Sequence, residues 1–141
     1  MHSMWLNRAI AWGLLVVGLL ASAAGSIFNL YAMFWWFDEA LHFFLPFAVT
    51  LVLGLHAYGA LLTGHRRHEV LLALTIAGLG LALGTLWELV EWIYDAFAAG
   101  NTIKDKTDTM IDLTANLAGG VAAVILSLIM LRRGRPPRLT S

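Results

Sequence analysis

Four long apolar runs divide the chain, and short segments holding most of the charged residues separate them. The runs cover approximately residues 9–34, 41–62, 70–94 and 110–131. Each reaches the length of about 20 residues that a helix needs to cross a bilayer core of ~30 Å. Because backbone in lipid must satisfy its own hydrogen bonds, the runs predict membrane-spanning helices. We therefore expect an all-α fold, an integral membrane four-helix bundle over residues 1–131, followed by a basic cytoplasmic tail over 132–141.

Composition supports lipid as the surrounding solvent. The chain has 141 residues, 60% hydrophobic and only 13% charged, with a mean hydropathy of +0.76, more than a soluble domain of this size can bury. The formal net charge is zero, so no basic surplus favours a nucleic-acid partner. Cysteine is absent, which excludes disulfides, thiolate metal sites and thiol nucleophiles.

Lysine and arginine are distributed unevenly between the two ends of the predicted helices. One side has seven of them: Arg8, Arg66, Arg67, Arg132, Arg133, Arg135 and Arg138. The other side has only Lys104 and Lys106. Positive charge in short connections is retained in the cytoplasm, so we expect both termini to be cytoplasmic in a multi-pass protein of the cytoplasmic membrane.

Acidic residues show the opposite distribution and follow helical spacing. Eight of the nine acids fall at the outer end; Glu69 is the exception. Three groups of residues recur at intervals of three or four, which places each group on one face of its helix. These groups are Asp38 with His42, then Glu88 with Glu91 and Asp95, and then Asp108 with Asp112 and Asn116.

Helical rise places members of these groups at a common depth. At a rise of about 1.5 Å per residue, three side chains lie roughly 27–30 Å from the cytoplasmic ends of their helices: Glu88, Asp112 and His42. On the same count Asn116 lies about one turn deeper, at roughly 22 Å. Three helices are thus expected to bring oxygen and nitrogen ligands to one level just inside the outer interface.

Each of these residues also has an ordinary explanation. Asp38 and Asp108 would serve as helix N-caps, and Asp112 would pair with Lys104 or Lys106. Asn116 would hydrogen-bond between helices. Taken together, however, intramembrane ionisable groups cost at least ~2.5 kcal/mol each, and like charges at one level repel one another. Shared protons, the two lysines or a bound cation must neutralise the acidic side chains. The sequence does not choose among these three alternatives.

A divalent cation is the hypothesis that the donor types favour. Its ligands would come from six residues: His42, Glu88, Asp112, Asn116, Asp38 and Asp108. One imidazole among carboxylate and amide oxygens suits Mg²⁺, Mn²⁺, Ca²⁺ or Fe²⁺ at least as well as Zn²⁺. With Glu91 or Asp38 accepting a proton, such a site would act as a metal-dependent membrane hydrolase on a lipid headgroup or lipid-linked substrate.

Three segments together resemble a known family: FDEALHF at 37–43, WELVEW at 87–92 and DTMIDLTANLAGG at 108–120. They are similar to the small bacterial inner-membrane proteins of the YjdF (DUF2238) type and, more distantly, to VanZ-like proteins. The resemblance implies a membrane protein of four to five helices in a bacterial inner membrane. It singles out Asp38, His42, Glu88, Asp112 and Asn116. VanZ-like members tend to have glutamine where Glu91 stands, so their link to teicoplanin susceptibility is not transferred.

A second class of function also fits the sequence. The chain would then be a non-catalytic accessory or scaffold subunit, either in a homo-oligomer or in a larger membrane complex. Its docking surfaces would be the aromatic run Phe34–Phe37 and rows of small residues in the helices. Transport is disfavoured, because the polar groups crowd one end and no polar path continues through the cytoplasmic half.

Overall fold

The structure is a computed structural model that describes residues 2–61, 69–98 and 103–133. These residues form five helices and no strand. The helices are α1 (His2–Ile27), α2 (Leu30–Met33), α3 (Phe37–Leu61), α4 (Glu69–Ala98) and α5 (Lys106–Arg133). All but the single-turn α2 are long and apolar enough to cross a membrane. The prediction of an all-α chain with four candidate spanning helices is confirmed.

Several predicted features lie outside the described residues. Leu62, at the end of the second predicted helix, is one of them, together with Arg66 and Arg67. The tail is described only as far as Arg133, the last residue of α5. The cytoplasmic placement of both termini and the separate basic tail therefore stay predictions.

The first predicted helix, 9–34, is divided in the structure. Helix α1 ends at Ile27, and α2 begins at Leu30 after a break at Asn29. Asn29 adopts a left-handed conformation with φ of 57°, which asparagine tolerates better than most residues with a Cβ atom. The break turns the chain away from α1 and brings Tyr31 alongside it, where the Tyr31 hydroxyl lies 3.2 Å from Ser22 Oγ.

Helix α3 occupies the centre of the bundle. Half of the residues in the most apolar stretch of α3 are buried. The corresponding buried share is 17% in α1 and in α4, and 33% in α5. The most extensive helix contact is between α3 and α5, and α1 and α4 each pack on α3 without extensive contact with one another. The exposed faces of α1 and α4 are rich in large apolar side chains, as expected where a helix faces lipid.

The apolar core lies away from the acidic residues, in the opposite half of the bundle. Its buried members are contributed by α1, α3 and α5: Ala11, Leu51, Val52, Leu55 and Ala123. A second, smaller cluster joins Ile76 of α4 to Val124 of α5. Together these contacts fix how α3, α4 and α5 meet at the polar end.

Candidate metal centre

The polar end of the bundle is where α3 and α5 begin and α4 ends. There the structure brings together Asp38 and His42 of α3, Glu88 of α4, and Asp112 and Asn116 of α5, all of them buried. Asn116 is the most deeply enclosed, with 1% of its surface exposed. Gly84 makes this enclosure possible, because a Cβ atom at that position would lie 2.5 Å from the Asn116 side chain.

His42 is the central residue of the site, because carboxylates surround its imidazole ring. Its Nδ1 atom lies 3.3 Å from Glu88 Oε1. Its Nε2 atom lies 3.5 Å from Asp38 Oδ1 and 3.8 Å from Glu91 Oε2. Both ring nitrogens thus face acids from α3 and α4, as the helical spacing predicts.

Three overlapping sets of side chains have donor atoms spaced for a metal ion. The sets are Asp38 with His42 and Glu91, then His42 with Glu88 and Asp112, and then Asp38 with Asp108 and Asp112. Within each set the donor atoms lie within 4.8 Å of one another. Ligand bonds of about 2.0–2.6 Å require separations of this size. We call the six residues, Asp38, His42, Glu88, Glu91, Asp108 and Asp112, the acidic–histidine cluster.

Buried polar atoms in the cluster lack hydrogen-bond partners. Neither carboxylate oxygen of Glu88 makes a hydrogen bond, nor does Asp112 Oδ1 or His42 Nε2. Asn116 Nδ2, beneath them, also makes no hydrogen bond. Buried polar groups are normally satisfied, and leaving one unpaired costs about 1–3 kcal/mol or more for a charged group. Several such atoms in one buried cluster indicate a site with capacity for a ligand.

Positive charge is scarce around the cluster. Three of its five carboxylates, those of Asp38, Glu88 and Glu91, lie beside His42. At the mouth Lys104 pairs with Asp38 and Asp108, and no other lysine or arginine in the described part of the chain forms an ion pair with the cluster. Even with His42 protonated, most of the negative charge is uncompensated. Like charges this close favour either shared protons or a bound cation.

Lys104 lies at the mouth of the cluster rather than within it. Its Nζ atom donates to Asp108 Oδ1 at 2.9 Å and lies 3.7 Å from Asp38 Oδ2. Burial opposes the charge of Lys104, but the Asp108 hydrogen bond and the charges of Asp108, Asp38 and Glu39 prevail and raise its pKa. The lysine therefore pairs with Asp38 and Asp108, and not with Asp112 as the alternative interpretation had it.

Neither acid suggested as an N-cap has that role. Asp105 caps α5 instead: its Oδ1 atom accepts from the backbone N–H groups of Thr107 and Asp108, which holds the pKa of Asp105 below its usual range. Asp38 lies inside the first turn of α3, which begins at Phe37 rather than near residue 41. Neither carboxylate is taken up by a cap, although both oxygens of Asp108 accept from Lys104, one from Nζ and one from the backbone N–H.

Replacing Lys104 with glutamine is expected to strengthen divalent-cation binding at the cluster by about two- to fivefold. This change in affinity corresponds to the free energy of one half-exposed ion pair. The ammonium group competes with a cation for Asp38 and Asp108, and the substitution removes the competitor. Titration of purified protein with Mn²⁺ measures the change. Lys106→Gln is the matched control and should leave the affinity as it was. Unchanged or weaker binding in Lys104→Gln would contradict this prediction.

Two residues at the site were not predicted from the sequence. Trp87 donates from Nε1 to Glu91 Oε1 at 2.9 Å and fixes the side chain that we expect to accept a proton. The four-residue spacing of this pair was the available signal. Tyr31 lies beside the cluster because of the break at Asn29, which no periodicity in the sequence indicates.

Comparisons with known proteins agree with the membrane fold. A family model described as "Predicted membrane protein (DUF2238)" matches residues 2–133. An uncharacterized protein of Thermotoga maritima is 35% identical over 104 residues, which is 71% of this chain. The chain spans about half the length of that curated relative, since the match covers 52% of it. No solved structure matches the chain significantly.

Proposed function

This chain belongs to the DUF2238 family of predicted membrane proteins, and we propose that its acidic–histidine cluster binds a divalent cation that holds the headgroup of a lipid or lipid-linked substrate. One observation carries the proposal. Glu88 and Asp112 are buried, with 6% and 3% of their surfaces exposed, yet three of their four carboxylate oxygens make no hydrogen bond, and only Glu88 Oε1 among these three lies in an ion pair, at 3.3 Å from His42 Nδ1. A cation would supply the missing partner to both residues and relieve the repulsion among the cluster's acids.

The donor set favours a hard cation. Five carboxylates and one imidazole are available, and the Asn116 amide lies beneath them. Oxygen-rich sites of this kind suit Mg²⁺, Mn²⁺ or Ca²⁺, while the imidazole also admits Fe²⁺ and Zn²⁺. Because Asp38, His42 and Asp112 each belong to two of the overlapping sets, a second ion would have to share ligand residues with the first.

The proposed reaction is hydrolysis of a phosphate ester at a lipid headgroup. The cation would supply charge stabilisation for the phosphate. Glu91, held by Trp87, would accept one proton from the attacking water as the new phosphorus–oxygen bond forms. The ester oxygen would leave as the lipid alcohol and take up a proton, so that the protons balance. Asp38 is the second candidate proton acceptor, although Lys104 lies nearer to it than to Glu91.

We place the site at the outer face of a bacterial inner membrane. Support comes from the seven lysines and arginines assigned to the opposite side by the sequence, against Lys104 and Lys106 on this side. Trp35 and Trp36 agree with this depth, because they are exposed just before α3 begins and aromatic side chains concentrate at membrane interfaces.

Metal binding by the purified protein tests the proposed function. The full chain, stripped with a chelator in detergent, is dialysed against Mn²⁺, and bound ion is measured by electron paramagnetic resonance and elemental analysis. We expect stoichiometric Mn²⁺ with a spectrum distinct from that of the free ion, displaceable by Mg²⁺ or Ca²⁺. Absence of bound Mn²⁺ together with a stoichiometric protein partner that copurifies would reject the proposal in favour of an accessory subunit.

A further inference from the structure

An apolar groove begins at the acidic–histidine cluster and runs along α3 between α1 and α4. Its volume is about 300 Å³. Asp38, His42 and Asn116 line it at the polar end, while its walls further along are apolar, formed by residues such as Leu15, Val49 and Leu83. From His42 to Val49 the groove follows α3 for about 10 Å at the usual helical rise.

The groove opens sideways, toward the bilayer. Helices α1 and α4 both pack on α3 but make no extensive contact with one another, so they form two walls without a helix closing the gap between them. Leu19 on the α1 wall is 56% exposed and Leu83 on the α4 wall 45%, whereas Asp38 and His42 are buried. In a membrane this opening faces hydrocarbon chains.

From this arrangement we infer that the groove holds one hydrocarbon chain of a phosphate-headed lipid, which enters sideways from the bilayer with its headgroup at the acidic–histidine cluster. The inference deepens the proposed function and rests on it for the placement of the headgroup. It makes the substrate class an amphiphile of the membrane rather than a water-soluble phosphate ester.

The size and chemistry of the groove select this occupant. A partner helix about 10–12 Å across with its side chains occupies roughly 400–600 Å³ per turn of 5.4 Å. A single turn therefore exceeds the groove volume of about 300 Å³. Pockets for small molecules start at about 300 Å³, so the groove fits a single chain and not a whole two-chain lipid. Its apolar walls offer no partners for the polar backbone of an extended peptide.

Groups at the upper end of the groove suit a phosphate. Lys104, half exposed, lies 3.7 Å from Asp38, which itself lines the groove. Tyr31, whose hydroxyl is hydrogen-bonded to Ser22, also lines this space. Burial raises the pKa of Tyr31, the Ser22 hydrogen bond opposes this rise, and the charges of Asp38 and Glu91 add to it, so the phenol is a neutral donor.

The headgroup, and not the chain, must select the lipid. A hydrocarbon chain gains no hydrophobic free energy on leaving the bilayer for an apolar groove, because lipid is already apolar. The groove therefore positions a chain whose headgroup is bound by the cation and Lys104. A lipid with the same chains and no phosphate should not occupy the groove selectively.

Photocrosslinking in nanodiscs tests the inference. The probe is phosphatidic acid with a diazirine in the middle of one acyl chain, and diacylglycerol with the same chain is the comparison. With Mn²⁺ present, we expect phosphatidic acid cross-links to concentrate on the groove walls around Leu15, Val49 and Leu83.

The Leu19→Trp variant fills the opening of the groove. It should reduce the yield of cross-links at the groove walls to the background yield on the lipid-facing side of α4. Leu20→Trp is the matched control, because Leu20 is 64% exposed on the same helix without lining the groove.

The outcomes distinguish a failure of the groove inference from a failure of the proposed cation site. Cross-links spread evenly over all lipid-facing positions, or unaffected by Leu19→Trp, would overturn the inference and leave Mn²⁺ binding intact. Groove cross-links in a protein that binds no Mn²⁺ would reject the proposed function and support only the chain site. The chain has no cysteine, so a Leu19→Cys variant that forms disulfide-linked dimers would identify a second copy as the occupant and also overturn the inference.

Discussion

Replacing Asp112 with asparagine is expected to weaken divalent-cation binding by at least about 100-fold, since even changes to residues behind a metal's ligands cost 10–100-fold. Asp112 belongs to two of the three donor sets and is almost fully buried. The amide preserves the shape of the side chain but removes its charge. Mn²⁺ titration of the purified variant measures the loss.

The stability of the cation-free Asp112→Asn variant distinguishes a cation site from a proton-sharing structural network. Because Asp112 Oδ1 has no hydrogen-bond partner and faces other acids, removing its charge should leave the melting temperature without cation unchanged or higher. Only the stabilisation by added Mn²⁺ should disappear. A variant already destabilised without cation would instead support the network. Asp105→Asn is the control, since Asp105 is an exposed cap and asparagine caps equally well.

Replacing Gly119 with alanine is expected to lower the free energy of unfolding by about 1–3 kcal/mol, the usual cost of overpacking. A Cβ atom at Gly119 would overlap the carbonyl oxygen of Phe43, and it would lie 3.2 Å from the backbone nitrogen of Phe47. Backbone atoms cannot rotate aside as a side chain can, so α5 must move away from α3. This movement widens the largest helix interface of the bundle. Denaturant unfolding in detergent micelles measures the effect.

Gly78→Ala is the matched control for the Gly119 variant. Gly78 lies in the interior of α4, and a Cβ atom there would meet nothing within 4 Å. Alanine should therefore be neutral or stabilising by up to about 1 kcal/mol, through the lower entropic cost of fixing the helix. Equal losses in the two variants would show that the α3–α5 approach is not what limits stability. Because residue 119 follows Asn116 by one turn, a shift of α5 should also weaken Mn²⁺ binding.

The fold class and the number of candidate spanning helices were predictable from the sequence, because the thickness of the bilayer sets a length that each apolar run either reaches or does not. The break at Asn29 was not, because Phe28 and Leu30 continue the apolar run and one left-handed residue leaves no periodic signal. The packing faces were also hidden. In lipid both the buried and the outward faces of a helix are apolar, so the amphipathic pattern of a soluble helix is missing.

The candidate site was more predictable than the packing around it. Polar residues are costly in a spanning helix, so the four-residue spacing of Asp38 with His42, and of Asp112 with Asn116, stands out and fixes both face and depth. The partners of Lys104 depend on the connection before α5, where no helical period applies. The groove depends on the separation of α1 from α4, which no single residue determines.

The core beneath Asn116 bears on which solution can exchange ions with the cluster. Beneath the polar end, the described core is largely aliphatic, with Leu51, Leu55 and Ala123 fully buried. Thr50 and Ser127 are isolated hydroxyls there, neither of them hydrogen-bonded through its side chain. Among the described residues, this aliphatic layer leads us to expect that a bound cation exchanges with the solution on the polar side of the bundle. Its occupancy by Mn²⁺ in proteoliposomes should then follow the Mn²⁺ concentration on that side and not the concentration on the other.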